Sequence, residues 1–560
     1  MNKIYPNEIK VASNKKIHRK RNEIAAKIVD FENNSQKQSQ RTFAKNKNIP
    51  RTTLQHWLER KKNIDALPEL IDFCESPVGI AFLHRIITAA HFAFTEDGVA
   101  SIHNVSTFLE LSGISSFIAS SYTTQNRVSK KMDEHIIEFE EFVSPELCKK
   151  MPSKKITLAE DETFHPQICM VSIEPRSNFI IVEKYVENRE GKTWNQVVNQ
   201  ALKDLPVEVI QVTSDEGRGL INHTTKGLKA HHSPDCFHVP HEIGKGTSGA
   251  LASAVKKAEK EYETALKQAQ KEINLKEKFD QKTKRPVGRP PSFEKKIELA
   301  NEKEQEANSN LETARQNQES VRDAKAKIGT VYHPYDLKTG DKQDSKKVAA
   351  LLESCFEKID EATKQLSDRC KKRVDKAHRV VSSMVATIAF YFRMIELYMD
   401  NMHMTDQDRQ LMHTYLIPGL YLRAVALKEK ETDRKAEINE KSEELLSILT
   451  QENGPFSKYT DKEIKNLVEA AEECVYLFQR SSSCVEGRNA QLSLRHHGIH
   501  RLSDLSLKAQ TIVHNYYRRN CDGTTPAERF FNAKHIDLFE WLLDKMDYPA
   551  RPRNVLRRAA

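Results

Sequence analysis

Between Lys155 and Val239 the chain leaves helical spacing for short apolar runs, two of which end in acid. The most constraining is Val209-Ile-Gln-Val-Thr-Ser-Asp215-Glu216-Gly217-Arg218. Its β-branched residues suit a buried strand, Asp215 falls at the carboxyl end, and Gly217 supplies a turn. In an open α/β sheet, ligands gather in the crevice beyond the carboxyl ends of the strands. A strand closing on a carboxylate at that edge limits both fold and chemistry.

The neighbouring runs set its context. Ile156–Glu162 reads as a first strand ending in acid, 167–173 as a second and 178–185 as a third. The segment 193–205 places Trp194, Val197, Val198, Ala201, Leu202 and Leu205 on one helical face. Val207–Ser214 returns to strand, and His231–Val239 supplies a fifth. Three meandering strands, a helix and a strand ending in acid are the order of the ribonuclease-H-like fold. In that order the first acid lies on strand one and the second just after strand four. Strand alternation puts Glu160 and Glu162 on the face opposite Asp161, which selects Asp161. The strand-end position selects Asp215 over Glu216.

Helical segments surround this core. In residues 1–65 a basic helix from Lys15 to about Phe31 precedes a polar linker. A helix closing at Phe43 and Ala44, a turn at Asn48-Ile49-Pro50 and a helix from Arg51 to Lys61 then follow. Leu54, Trp57 and Leu58 share one face of that last helix, the helix-turn-helix arrangement whose second helix enters a major groove. Arg51, Thr52, Gln55 and His56 are the expected reading side chains, with Lys61 and Lys62 near phosphates; the alternative is an ordinary helical hairpin. Residues 66–150 read as a second DNA-binding or linker subdomain, with helices over 104–112 and 114–138 about Gly113; the alternative is a structural helical subdomain. Ser120, Thr123, Thr124, Gln125 and Arg127 are its polar candidates.

Residues 151–249 carry the first part of the core. In 250–330, Leu251, Val255, Ala258, Tyr262, Ala265, Ala269 and Ile273 step by threes and fours, a coiled-coil seam. Pro286, Pro290 and Pro291 break the helix, giving a hairpin with a basic tip. Gly288-Arg289-Pro290, with Lys284 and Arg285 just upstream, resembles an AT-hook; the alternative is a rigid proline turn. Residues 331–474 form a helical insertion, 475–535 the last part of the core and 536–560 a helical and basic tail. The expected architecture is an α/β ribonuclease-H-like core split by a long all-α, partly coiled-coil insertion, with an N-terminal all-α helix-turn-helix region.

Phosphodiester transfer by two metal ions needs hard oxygen ligands on a rigid frame. Asp161, Asp215 and Glu486, from segments far apart in sequence, supply three carboxylates. Here a resemblance becomes specific. Ser483-Cys-Val-Glu486-Gly487-Arg488-Asn489-Ala-Gln-Leu492, followed by Arg495-His-His-Gly498, resembles the Glu-containing block of bacterial insertion-sequence transposases of the DDE class. Leu158-Ala-Glu-Asp161-Glu162 and Thr213-Ser-Asp215-Glu216-Gly217 resemble the two Asp blocks. Ser233-Pro-Asp235-Cys-Phe237-His238-Val239 resembles the strand that follows the second Asp. The resemblance implies Asp161, Asp215 and Glu486 as catalytic and metal-binding residues, with two Mg²⁺ ions, or Mn²⁺, per site. It further implies cleavage at element ends, then attack of the freed 3′-hydroxyl on target DNA. Arg488 and Asn489 could orient the carboxylate or contact a phosphate, and His238 could shuttle a proton or contact DNA. The expected partners are the element's terminal repeats and target DNA, with a homo-oligomer assembled on them.

Composition agrees with a nucleic-acid partner. Lys+Arg number 88 against 79 Asp+Glu, a net charge of +9. Nine cysteines without a C-x-x-C pair suggest reduced thiols rather than a zinc ribbon or disulfide framework. His223, His231, His232, His238, His241 and Cys236 invite a zinc reading, which the strand alternation disfavours. The start is polar and basic, and the apolar run from Val380 to Phe392 is too short for a membrane span. The expectation is a soluble bacterial protein of the cytoplasm and nucleoid, with no membrane partner. Competing readings are a structure-specific nuclease on the same fold and a transposase-derived regulator without catalysis. A tyrosine recombinase is disfavoured, because Tyr516 and Tyr517 lack a suitable His-x-x-Arg pair.

Overall fold

The computed structural model describes residues 15–164, 167–282, 288, 291–499 and 502–552. Arg285 and Arg289, and with them the AT-hook reading, lie outside the described residues.

The chain opens with helices α1 (Lys15–Asn34), α2 (Gln40–Asn46) and α3 (Arg51–Lys62). Ser39 caps α2 by accepting from the Thr42 amide. Asn48 takes the left-handed turn conformation, φ 51°, and Pro50 leads into α3. Phe31, Phe43, Ala44 and Leu54 are buried together, with Ile49, Trp57 and Leu58 packed around them.

Helices α4 (Pro68–Cys74), α5 (Pro77–His91), α6 (Ile102–Leu111) and α7 (Tyr122–Lys150) follow. The helix expected from residue 114 starts eight residues later. Gly113 turns the chain with φ 72°, and Ile114–Ser116 make only one 3₁₀ turn. Gln125 is buried and bonded to His91 at 2.8 Å, so it is no DNA-reading candidate. Helix α7 also packs on the sheet. Its Met132, Ile136, Phe139, Val143 and Leu147 belong to the core beneath the sheet.

The sheet contains β1 (Lys154–Phe164), β2 (Ile168–Glu174), β3 (Phe179–Val186), β4 (Val207–Ser214) and β5 (His231–Pro234). Its order is β3-β2-β1-β4-β5. β2 is antiparallel to both neighbours, whereas β1, β4 and β5 run parallel, so their carboxyl ends share one edge. Helix α8 (Gly191–Leu202) crosses between β3 and β4, and α9 (Arg218–Asn222) follows Asp215. Register assigns the faces. Leu158, Met170 and Val212 pack with Trp194, Val198 and Leu220 on one side. Ala159, Cys169, Val171, Ile173 and Ile180 pack on the other.

β5 stops at Pro234 rather than at Val239. Asp235 Oδ1 accepts from the Phe237 amide at 2.9 Å, turning the chain into a helix that starts at His238. That helix, α10 (His238–Asp280), pairs with α11 (Phe293–Val331) in a hairpin closed within one chain. The predicted seam faces inward, with Leu251, Ala258 and Ala269 buried. The insertion continues with α12 (Ser345–Thr363), α13 (Asp368–His378), α14 (Val381–Asn401), α15 (Asp406–Leu411), α16 (Ile417–Lys428), α17 (Thr432–Thr450) and α18 (Asp461–Tyr476). Its core is continuous with the sheet edge through Cys236, Val239 and Ile243.

Two stretches, Pro77–Asp97 and Asp368–Asn401, have the length and hydropathy of a membrane span, so the apolar run around α14 is longer than expected. About half of each is buried within the fold, and Met384, Ile388, Tyr391 and Ile395 of α14 lie in the largest core.

The chain then returns to the sheet through α19 (Ser483–Ile499), α20 (Asp504–Tyr516), α21 (Pro526–Phe531) and α22 (Leu538–Lys545). Val485 and Leu492 of α19 cover the face bearing Ala159 and Val171. The last described residues tie the two ends of the chain together. The Ala119 amide donates to Ala550 O at 2.8 Å, and Arg60 donates to Pro552 O at 2.7 Å. Arg551, the first residue of the expected basic tail, is paired with Glu75 and largely buried.

Candidate active site

Three carboxylates collect at the shared edge of β1, β4 and β5. Ala159 is in register with Thr213, and Thr213 with Ser233. Continuing each strand by two residues brings Asp161, Asp215 and Asp235 to the same face, since side chains alternate with period two. This is the face that α19 covers. Glu160 and Glu162 point the other way: Glu160 accepts from Ser172 Oγ at 3.1 Å and lies 3.4 Å from His223, and Glu162 accepts from Trp194 Nε1 at 3.1 Å.

Asp161 accepts from the Glu162 amide at 2.8 Å and, through Oδ2, from Asn489 Nδ2 at 3.1 Å. Burial pushes its carboxyl up to about 7; the Glu162 amide opposes this, the charges of Asp215 and Glu162 add to it, and His238 pulls it back. Asp161 thus feels both Asp215 and His238. Asp215 Oδ1 accepts from the Gly217 amide at 2.8 Å, which fixes the carboxylate at the strand end. A Cβ on Gly217 would stand 2.8 Å from that same oxygen.

Helix α19 supplies the rest. Glu486 and Asn489 are three residues apart, so both point down one side of the helix. Asn489 reaches Asp161, while Glu486 lies among Asp235 and His238, with one ligand atom from each of the three within 4.8 Å of the others. Burial raises the Glu486 carboxyl, Asp235 adds to the rise and His238 opposes it. Asp235 is 2 % exposed and also accepts from the Ser482 hydroxyl. A cleft of about 420 Å³ opens beside Asp215, Asp235 and His238, with Arg189, Arg218 and Lys376 among its walls.

The structure therefore gathers Asp161, Asp215, Glu486, His238 and Asn489 at one edge and adds Asp235, which the sequence reading left without a role. Arg488 is a correction. It is buried and grips Glu183 of β3 with two bonds of 2.7 and 2.6 Å, anchoring α19 to the sheet instead of facing DNA. Lys61 is a second, because it is held by Glu32 and Asp72 at 2.8 and 2.9 Å. Arg51, Thr52, Gln55 and His56 remain exposed along α3, as does Lys62. The histidines do not converge on a zinc site: His231 stacks on Phe390, His232 bonds Ser214, and His223 lies under the opposite face.

Residues 412–558 match the model of a family of unknown function (DUF6399). That stretch, about a quarter of the chain, contains all of α19 but none of the strands. No curated protein matches the chain, and no solved structure does either.

Proposed function

We propose that this chain is a DDE-type DNA transposase: it binds the ends of a mobile element, cleaves there and joins the freed 3′-hydroxyl to target DNA. The observation that carries the reading is the edge just described. Asp161 and Asp215 sit on adjacent parallel strands, and one helix from 271 residues further on returns Glu486 and Asn489 over them. Structural acids have no need to converge from three distant segments onto one strand edge. The exposed polar face of α3, set on a compact three-helix base, supports sequence-specific binding of duplex DNA.

The residues fit hard divalent cations. Asp161, Asp215 and Glu486 would hold Mg²⁺ or Mn²⁺, and Asp161, whose burial favours its proton, is the kind of group a cation stabilises as the carboxylate. When bound, a pair of such ions supplies activation of an attacking oxygen and stabilisation of a leaving one. The protein's own part is positional. Asn489 holds Asp161, the Gly217 amide holds Asp215, and the Arg488–Glu183 pair holds the helix that carries Glu486. Arg189, Arg218 and Lys376 offer positive charge to phosphates entering the cleft. Holding two element ends at once calls for a multimer on DNA.

The test is strand transfer by purified protein, with DNA bordering the gene as donor. Asp161→Asn, Asp215→Asn and Glu486→Gln should each lose product by a factor of 10² or more, with DNA binding retained, as expected when charge stabilisation in the transition state is removed. Undiminished transfer in any one would remove that residue from the site. Tight end binding without transfer in the wild type would leave a DNA-binding regulator.

A further inference from the structure

We infer that Asp235, His238 and Glu486 form a divalent-cation site of two carboxylates and one imidazole nitrogen, matched to Mn²⁺, beside the Asp161–Asp215 pair and sharing Glu486 with it.

The three residues arrive by independent routes. Asp235 directly follows β5, His238 opens α10 three residues later on the same side, and Glu486 comes from α19. Their ligand atoms lie within 4.8 Å of one another. Bonds of about 2.1 Å place opposite ligands of one ion about 4.2 Å apart. Small rotations of the partly exposed His238 and Glu486 close that difference.

Two further observations point to a ligand. First, Asp235 is a buried carboxylate whose direct partners are a backbone amide and a serine hydroxyl, with His238 Nε2 at 3.9 Å. Burying an anion is costly unless positive charge compensates it. Second, polar atoms beside the cluster lack partners. Asn489 Oδ1, one turn beyond Glu486, is buried without a donor, as is the hydroxyl of Thr213. Thr213 is fully buried, on the strand face that continues to Asp215 and directly beside Ser233, two residues before Asp235. A hydrated cation satisfies acceptors of this kind, whereas an apolar filling leaves them orphaned. The donor set chooses the ion: Mg²⁺ prefers oxygen alone, and an imidazole favours the first-row transition ions.

The inference deepens the transposase reading at Glu486 and rests on it for the purpose of the site, but cation binding is measured without DNA or turnover. Metal-stripped full-length protein is titrated with Mn²⁺, and the bound ion is examined by electron spin echo spectroscopy for coupling to ¹⁴N. Wild type should show a saturable site with imidazole nitrogen coupling. His238→Ala should abolish the coupling, and Asp235→Asn should weaken binding on the order of tenfold or more. His241→Ala, altering the exposed ring stacked on Phe237, should leave both unchanged. Wild-type Mn²⁺ without nitrogen coupling, or wild-type binding and coupling in His238→Ala, would overturn the site. His238 is 41 % exposed, so its variant keeps the test decisive even if Asp235→Asn fails to fold. Nitrogen-coupled Mn²⁺ in a protein without strand transfer would sink the transposase reading and leave this site standing.

Discussion

Replacing Arg488 with alanine separates the structural role of that residue from the DNA contact its sequence position suggests. The guanidinium is 3 % exposed and its partner Glu183 fully buried, joined by two charge-assisted bonds. Removing one member of a buried pair leaves the other charge uncompensated, at a cost of about 3–5 kcal/mol. Among the described residues, the Thr511 hydroxyl, 2.7 Å from Glu183, is the side-chain donor that would remain on that carboxylate. For the 560-residue chain melting as one unit, at about 2.1 cal/mol/K of unfolding entropy per residue, the loss corresponds to a fall in Tm of about 3–4 °C. Burial would raise Glu183, but Arg488, by charge and hydrogen bonding, and Thr511 hold it below its ordinary value. The pair therefore contributes fully above the unfolded carboxylate pKa of about 4.3, and its contribution is lost as pH falls through the lowered folded value. Calorimetry and urea unfolding at pH 7 measure the effect. The double variant Arg488→Met/Glu183→Leu should recover most of the loss, because neither charge is stranded. If Arg488→Ala melts like wild type yet binds DNA weakly, the anchoring argument is wrong and the residue does face phosphate.

Other perturbations have equally definite outcomes. Gly217→Ala forces a methyl against Asp215 Oδ1, so strand transfer should drop about 10²-fold while Tm changes little, since small displacements at a reacting centre cost that much. Burial pushes Glu96 up to about 8, with Asp133 adding and Arg495 opposing, and Asp133 itself rises to about 6. The folded state then holds protons that the unfolded chain has released, so the contribution of this pair to stability is fully present near pH 4 and is lost as pH rises toward 8. Glu96→Gln should flatten that slope in urea titrations across the range. On α3, Arg51→Ala should reduce the salt dependence of end binding by about one unit, measured by fluorescence anisotropy. Lys61→Ala should leave it unchanged, its charge being engaged by Glu32 and Asp72. Leu54→Ala, at a fully buried site, should cost about 2–5 kcal/mol and abolish end binding by unfolding the three-helix unit.

The strand edge was legible because period-two apolar runs and their terminal acids are local signals. Val207–Ser214 ends where expected, and β1 reaches Asp161 with the predicted face. Asp235 was not legible, because Ser233-Pro-Asp235 reads as continuing strand. Only the turn made by its own side chain onto Phe237 ends β5 and starts a helix. The misread cations share another cause. A basic residue carries no local mark of its partner: Glu183 lies 305 residues from Arg488, and Glu75 lies 476 from Arg551. The packing of α7 on the sheet was likewise not legible, since an amphipathic helix announces a buried face but not the surface that buries it.

Helix α10 begins at His238, inside the site, and runs 43 residues without interruption. At 1.5 Å per residue it is a rod of about 65 Å, stiffened along its length by α11. That span equals roughly 19 base pairs of duplex at 3.4 Å each. Such a rod is a lever whose short arm is the His238 side chain: a tilt of about 5° about the His238 end carries the far end through about 6 Å.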